Sequence, residues 1–182
     1  MSIEPELRDE LLAAVPSLRA FAISLCGQVD RADDLVQDTL MRALANIHRF
    51  QRGTNLNAWL FTILRNLFHS EFRKRKREVE DPEGNYAANL TSQPEQGAHL
   101  DFEDFRNALA QLPEDQREAL LLVGASGFSY EEAAEICECA VGTIKSRVNR
   151  ARTRLAEMLD IKDDGELGPD EMTRAALQQA AS

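Results

Sequence analysis

The chain has 182 residues, 43% of them hydrophobic, and carries 31 acidic against 21 basic side chains for a formal net charge of -10, enough for one ordinary domain or two small ones. Its longest apolar runs, Ala119 to Val123 and Trp59 to Leu64, fall far short of the roughly 20 residues of a bilayer span, and the N-terminus MSIEPELRDELL is acidic where a signal peptide is basic, so a cytoplasmic protein with no membrane partner is expected. Three cysteines with a C-x-C spacing (Cys137, Cys139) and three scattered histidines give no metal-ligand pattern, so no metal and no cofactor are expected and the thiols read as small core residues.

In chain order the patterns are helical, without strand-type alternation. A first helix covers Leu18 to Cys26, with Pro16 near its first turn and Gly27 at its end. Val36, Leu40, Ala43 and Ile47 then recur at i, i+4, i+7 and i+11, and after a break at Arg52-Gly53-Thr54 so do Leu60, Ile63 or Leu64, and Leu67. Between them Arg49, Phe50, Arg52, Thr54 and Asn55 fall on a loop, with Arg65 and Asn66 in the helix that follows. Polar donors on a loop beside a helix face can pocket a base unstacked from a duplex. Trp59 and Phe61 are expected in the core. The run FRKRKR, with Arg73 first among its five cations, cannot all face a core and is either solvated or set against phosphates.

Residues 78 to 104 reverse the charge, with eight acids and no Lys or Arg, among Pro, Gly, Asn and Ser. This composition reads as a flexible linker over 78–101. Phe105 to Leu112 is a helix stopped by Pro113, and the next, EDQREALLLVGAS, gives way at Gly127. Ser129 with Glu132 forms a capping box for a short helix Tyr130 to Cys137. A tight turn follows around Glu138 to Ala140, with Glu138 where many such turns carry Gly. The domains expected are 10–77 and 102–160, all-α, joined by the acidic linker and followed by a tail, 161–182, to which no role is assigned.

Val141 to Leu155, VGTIKSRVNRARTRL, holds five cations and no acid. At about 100° per residue Ile144, Val148, Ala151 and Leu155 form one narrow stripe that faces a core. Opposite lie Ser146, Asn149, Arg150 and Thr153, flanked by Lys145 and Arg152 on one side and Arg147 and Arg154 on the other. A helix in a major groove needs this distribution, with hydrogen-bonding side chains at the centre reaching base edges and flanking cations reaching both backbones. Charge alone favours a solvated amphipathic helix; the capped short helix and tight turn before it reverse that and make a helix-turn-helix.

RADDLVQDTLMRAL, NAWLFTILRN, LPEDQREALLLVGASGFSYEEAAEI and VGTIKSRVNRAR, in this order over nearly all of residues 10 to 160, together resemble a bacterial extracytoplasmic-function sigma factor. With SLRAFAISLCG the wording is most similar to the subgroup that drives the alphaproteobacterial general stress response. The resemblance implies a sigma-2-like helical bundle and a sigma-4-like helix-turn-helix. It implies that Asp34, Gln37, Asp38 and Arg42 dock on core RNA polymerase, although Asp33 and Asp34 also suit a helix N-terminus. It gives Phe50, Arg52, Thr54, Asn55, Arg65, Asn66 and Arg73 to the melted minus-10 element. Lys145, Ser146, Asn149 and Arg150 fall to the minus-35 element, with Arg147, Arg154, Ser129 and Tyr130 as phosphate contacts. The implied partners are core RNA polymerase, promoter DNA and an anti-sigma factor.

The function that follows is promoter selection by a dissociable polymerase subunit, with no catalytic residues. Two rivals stand beside it. A stand-alone helix-turn-helix regulator would need a dimerisation seam, and a sigma mimic that sequesters an anti-sigma factor would have no need of DNA-facing cations.

Overall fold

The computed structural model describes residues 4–79 and 98–160. Most of the predicted acidic linker (80–97) and the predicted tail (161–182) lie outside the described residues. The chain divides into two compact units, Met1–Leu90 and Thr91–Ser182, and among the described residues every regular element is helical. No helix among them is long and apolar enough to cross a membrane.

The first unit contains α1 (Pro5–Cys26), α2 (Val29–Ala45), a 3-10 turn at Ile47–Arg49 and α3 (Leu56–Val79). Helix α1 begins well before the expected Leu18 and runs through Pro16, with Pro5 in its first turn. Packing decides this, because Leu11, Ala14, Leu18, Phe21, Ala22 and Leu25 form one continuous buried stripe across the proline. Pro16 deprives the Leu12 carbonyl of its usual amide donor, but Leu12 is 61% exposed, so water can serve there. The helix stops at Gly27, whose φ of 70° is left-handed and whose N–H donates to the Ile23 carbonyl at 2.8 Å.

Helix α2 buries Ala32, Leu35, Val36, Thr39 and Ala43. Of the expected stripe, Leu40 is only half-buried at its edge and Ile47 lies beyond the helix, in the 3-10 turn. Thr39 is tolerated inside because its hydroxyl donates to the Leu35 carbonyl at 2.7 Å. Helix α3 completes the core with Leu56, Leu60, Phe61, Leu64, Leu67 and Phe68. The Phe21 and Phe61 ring centroids stand 5.0 Å apart, a favourable tilted pair beyond the area they bury. Trp59, expected in the core, is half-buried instead and packs on Phe50 with centroids 5.3 Å apart. Past Phe68, α3 continues through the cationic run to Val79, because Lys, Arg and Glu are strong helix formers without an apolar stripe.

The second unit contains α4 (Ala98–Gln111), α5 (Glu114–Leu120) with a π-helical turn at Leu121–Ala125, α6 (Tyr130–Ile136) and α7 (Val141–Met158). Helix α4 begins ahead of the expected Phe105, so both ends of the predicted linker, 78–79 and 98–101, are helical. Arg117 on α5 donates to the Ala110 carbonyl in the last turn of α4 at 3.1 Å. Burial lowers the pKa of its guanidinium, against the pull of Glu114 and Glu118. Leu120, Leu121 and Leu122 are all buried, as in a helix enclosed by its neighbours. The helix then widens: the Ser126 N–H reaches back to the Leu121 carbonyl at 2.9 Å and the Phe128 N–H to Leu122 at 3.1 Å.

Candidate nucleic-acid interface

The capping box that starts α6 is formed as expected, with the Glu132 N–H donating to Ser129 Oγ at 3.1 Å and the Ser129 N–H donating to Glu132 Oε2 at 2.9 Å. The turn closes as the Cys139 N–H donates to the Ala134 carbonyl at 3.0 Å, and Glu138 takes a φ of 53°. A side chain therefore occupies the left-handed position that glycine fills without strain, at roughly 1–2 kcal/mol.

Helix α7 then buries Ile144, Val148, Ala151 and Leu155, the four positions of the expected stripe. Lys145, Asn149, Arg150, Thr153 and Arg154 are exposed and Ser146 is half-buried. The flanking cations near the start of α7 are not equivalent. Lys145 Nζ stands 5.7 Å from the Tyr130 ring centroid, a cation–π contact to α6. Arg147 Nε lies 3.2 Å from Asp115 Oδ2 of α5, and its Nη1 lies 3.9 Å from Cys139 Sγ. Ser129 is drawn into the capping box and Tyr130 under Lys145, so both candidate phosphate contacts on α6 already serve the packing of the motif.

In the first unit the candidate base pocket is a built turn. The Thr54 N–H donates to the Gln51 carbonyl at 3.2 Å and the Thr54 hydroxyl to the same oxygen at 2.7 Å. Gly53 has a φ of 86° with nothing near its missing Cβ, so backbone conformation alone asks for glycine there. Asn55 caps α3 by accepting the Ala58 N–H at 3.2 Å, and Arg52 pairs with Glu4. Arg49, expected on this loop, ends the 3-10 turn before it. Asn66 and Arg73, two turns apart, share the exposed face of α3, while Arg65 is half-buried. The loop residues thus shape the site, and the exposed face of α3 lies directly beyond it.

Asp34, Gln37, Asp38 and Arg42 are all exposed on α2. Asp33 turns away from them to Arg19 of α1, accepting from its Nε at 2.7 Å, which raises the pKa of that guanidinium. Asp34, Gln37 and Asp38 form one wall of an open cleft of about 480 Å³, and Glu71, Lys74 and Arg75 of α3 line the other. Sequence reasoning missed Met41, 61% exposed, and Leu44, 42% exposed. Met41 lies three and four residues beyond Asp38 and Gln37, so it extends the same face with an exposed apolar side chain. That spacing was the signal. Among the described residues no group of three or more His, Cys, Asp or Glu is placed to hold a metal ion.

The family models of Sigma-70 region 2 and Sigma-70, region 4 match residues 12–78 and 102–155. The chain is 68% identical to the ECF RNA polymerase sigma factor EcfG of Rhodopseudomonas palustris, over 97% of this chain and 98% of that one. It is 36% identical to the ECF RNA polymerase sigma factor SigC of Mycobacterium tuberculosis, over 73% and 72%. Among solved structures it is similar to the sigma factor RpoE of Bartonella quintana in complex with the anti-sigma factor NepR. That match has a TM-score of 0.79 at 57% identity and covers 86% of this chain and 98% of RpoE.

Proposed function

Because this chain belongs to the extracytoplasmic-function sigma factors of bacterial RNA polymerase, we propose that it directs core polymerase to a set of stress-response promoters and is held in check by an anti-sigma factor. The observation that carries the reading is α7: a helix whose apolar stripe is wholly buried and whose opposite face presents Asn149 and Arg150 between cations. That face suits a major groove, with Ser146, Asn149 and Arg150 at base edges of the minus-35 element and Arg154 at a phosphate.

The exposed face of α2, with Asp34, Gln37, Asp38, Met41 and Arg42, is assigned to core polymerase. Carboxylates and a long apolar side chain together make a charged contact with an apolar centre. The turn from Phe50 to Asn55 and the Asn66–Arg73 face of α3 are assigned to the opened minus-10 strand. There the amide of Asn66 offers donor and acceptor to a flipped base, and Arg73 a cation to the backbone.

The protein works by binding energy and makes or breaks no bond. Each unit alone holds DNA weakly; once core polymerase fixes their separation, the second contact forms at high effective concentration and the two add. Stabilising the opened strand offsets the unpairing cost. The net charge of -10 keeps the free subunit from DNA at long range. Run-off transcription with purified core polymerase tests this, on promoter fragments selected from a pool randomised at both elements. Product well above core alone is expected, and none would overturn the reading in favour of a stand-alone regulator or a mimic.

A further inference from the structure

Arg147 sits among the cations of α7 that the sequence assigns to the phosphate backbone, but its surroundings differ from those of its neighbours. Its side chain is only 24% exposed, whereas Arg150 and Arg154 are exposed. Its guanidinium spans two other elements: Nε meets Asp115 Oδ2 in the first turn of α5 at 3.2 Å, and Nη1 points at Cys139 Sγ in the turn before α7 at 3.9 Å. On the helix wheel Arg147 lies about 110° from the outward direction and about 70° from the buried stripe, so it leans toward the body of the unit. A guanidinium beside a carboxylate is also already neutralised, and a phosphate would have to compete for it.

We propose that Asp115 is a positioning residue for recognition of the minus-35 element, acting through Arg147 to fix the rotation of α7 about its own axis. The apolar stripe of α7 is made of Ile144, Val148, Ala151 and Leu155, none of them aromatic or hydrogen-bonding, so the stripe itself supplies no directional contact that sets the last few degrees of rotation. The side-chain tips lie about 5–6 Å from the axis, so a rotation of 10° moves Arg150 by about 1 Å, beyond the roughly 0.5 Å tolerance of a bidentate contact. Lys145, against the Tyr130 ring on the opposite flank, opposes rotation in the other sense. The two flanking contacts index the polar centre of the helix from both sides.

This inference rests on the proposed promoter recognition and gives Asp115 an effect of unusual sign. Asp115 is an acid on the DNA-binding unit; if Arg147 were a phosphate contact, neutralising Asp115 would release it and tighten DNA binding. If Asp115 positions α7, neutralising it loosens recognition. The test uses the full-length chain bound to core polymerase. Its probes are a promoter fragment selected by the wild-type holoenzyme from a randomised pool and the same fragment with its minus-35 segment scrambled, titrated across salt.

Asp115→Asn is expected to lower the preference for the selected fragment by about twofold to fivefold, the upper part of the range for breaking a partly exposed pair. The salt slope should stay unchanged and thermal unfolding should shift by only a few degrees, while Asp115→Glu, which keeps the carboxylate, should retain the preference. Arg147→Ala should lose preference similarly, again without loss of slope. Equal or tighter binding of both fragments by Asp115→Asn would overturn the proposal. So would a drop of about 0.9 in salt slope for Arg147→Ala, which marks a lost phosphate contact. A wild-type holoenzyme with no preference between the fragments would instead overturn promoter recognition itself.

Discussion

Replacing Arg150 by Ala separates reading of the sequence from holding of the backbone. Arg150 lies about 50° from the outward direction of α7 and is exposed, so its truncation should leave stability within about 0.5 kcal/mol of wild type. The whole loss then falls on DNA. A bidentate arginine at a base edge contributes about 1–3 kcal/mol of discrimination, which is roughly 5- to 150-fold in affinity at 0.59 kcal/mol per RT. The assay is competitive binding of the holoenzyme to fragments covering every single change in the minus-35 element. Arg150→Ala should flatten the preference at one or two adjacent positions and leave the others as they were. Arg154→Ala is the control, since it should weaken all fragments alike and reduce the salt slope by about 0.9. A uniform loss across every fragment for Arg150→Ala would refute the placement of this side chain at a base edge.

Asn66→Ala should lower the yield of open complex, followed by permanganate reactivity of unpaired thymines, while core affinity is unchanged; an unaltered yield would remove Asn66 from the minus-10 site. Met41→Ala should weaken association with core polymerase by about 1–2 kcal/mol, the share of a methionine's burial its exposure leaves available, without lowering the melting temperature. Glu138→Gly relieves a left-handed φ at some cost in unfolded-state entropy and should stabilise the second unit by a few tenths to about 1 kcal/mol in urea, whereas Glu138→Val should destabilise it. Burial raises the Cys26 thiol above its ordinary pKa, with Arg31 and Arg75 pulling it down and Glu71 adding to the rise. Unfolded chains therefore lose this proton first, so the contribution is whole below the ordinary thiol value and is lost as pH climbs through the raised one. Cys26→Ala should flatten the alkaline fall of stability, measured by urea unfolding at a series of pH values.

Periodicity made α7 and the capping box legible, because a four-residue apolar stripe and an S-x-x-E spacing each have one physical solution. Pro16 misled the sequence reading at α1. A proline usually marks a helix start, but the stripe from Leu11 through Ala14 to Leu18 outweighs one lost backbone bond. The α3 end of the linker was misread for the opposite reason, since a helix ending in Arg, Lys and Glu has no apolar pattern to follow, and the α4 end, Ala98 to Asp101, was too short a stretch to show one. At the candidate sites composition named the polar residues without saying how they are used. Thr54 and Asn55 read as donors for a base, yet Thr54 braces a turn and Asn55 caps α3. Arg147 reads like Arg154, and only the packing of α5 distinguishes them.

The unbroken length of α3 also makes it a measure. Its 24 residues extend about 36 Å at 1.5 Å each, close to one turn of duplex DNA. From Asn66 to Arg77 the rise is about 16 Å, or some five base steps at 3.4 Å per step. On the proposed reading, a rigid rod with the Asn66 amide at its middle and cations toward its C-terminal end converts sequence spacing into distance along a promoter. Inserting one residue between Phe68 and Arg73 would advance the cationic end by only about 1.5 Å but swing it through about 100°. The gauge would keep its length and lose its bearing.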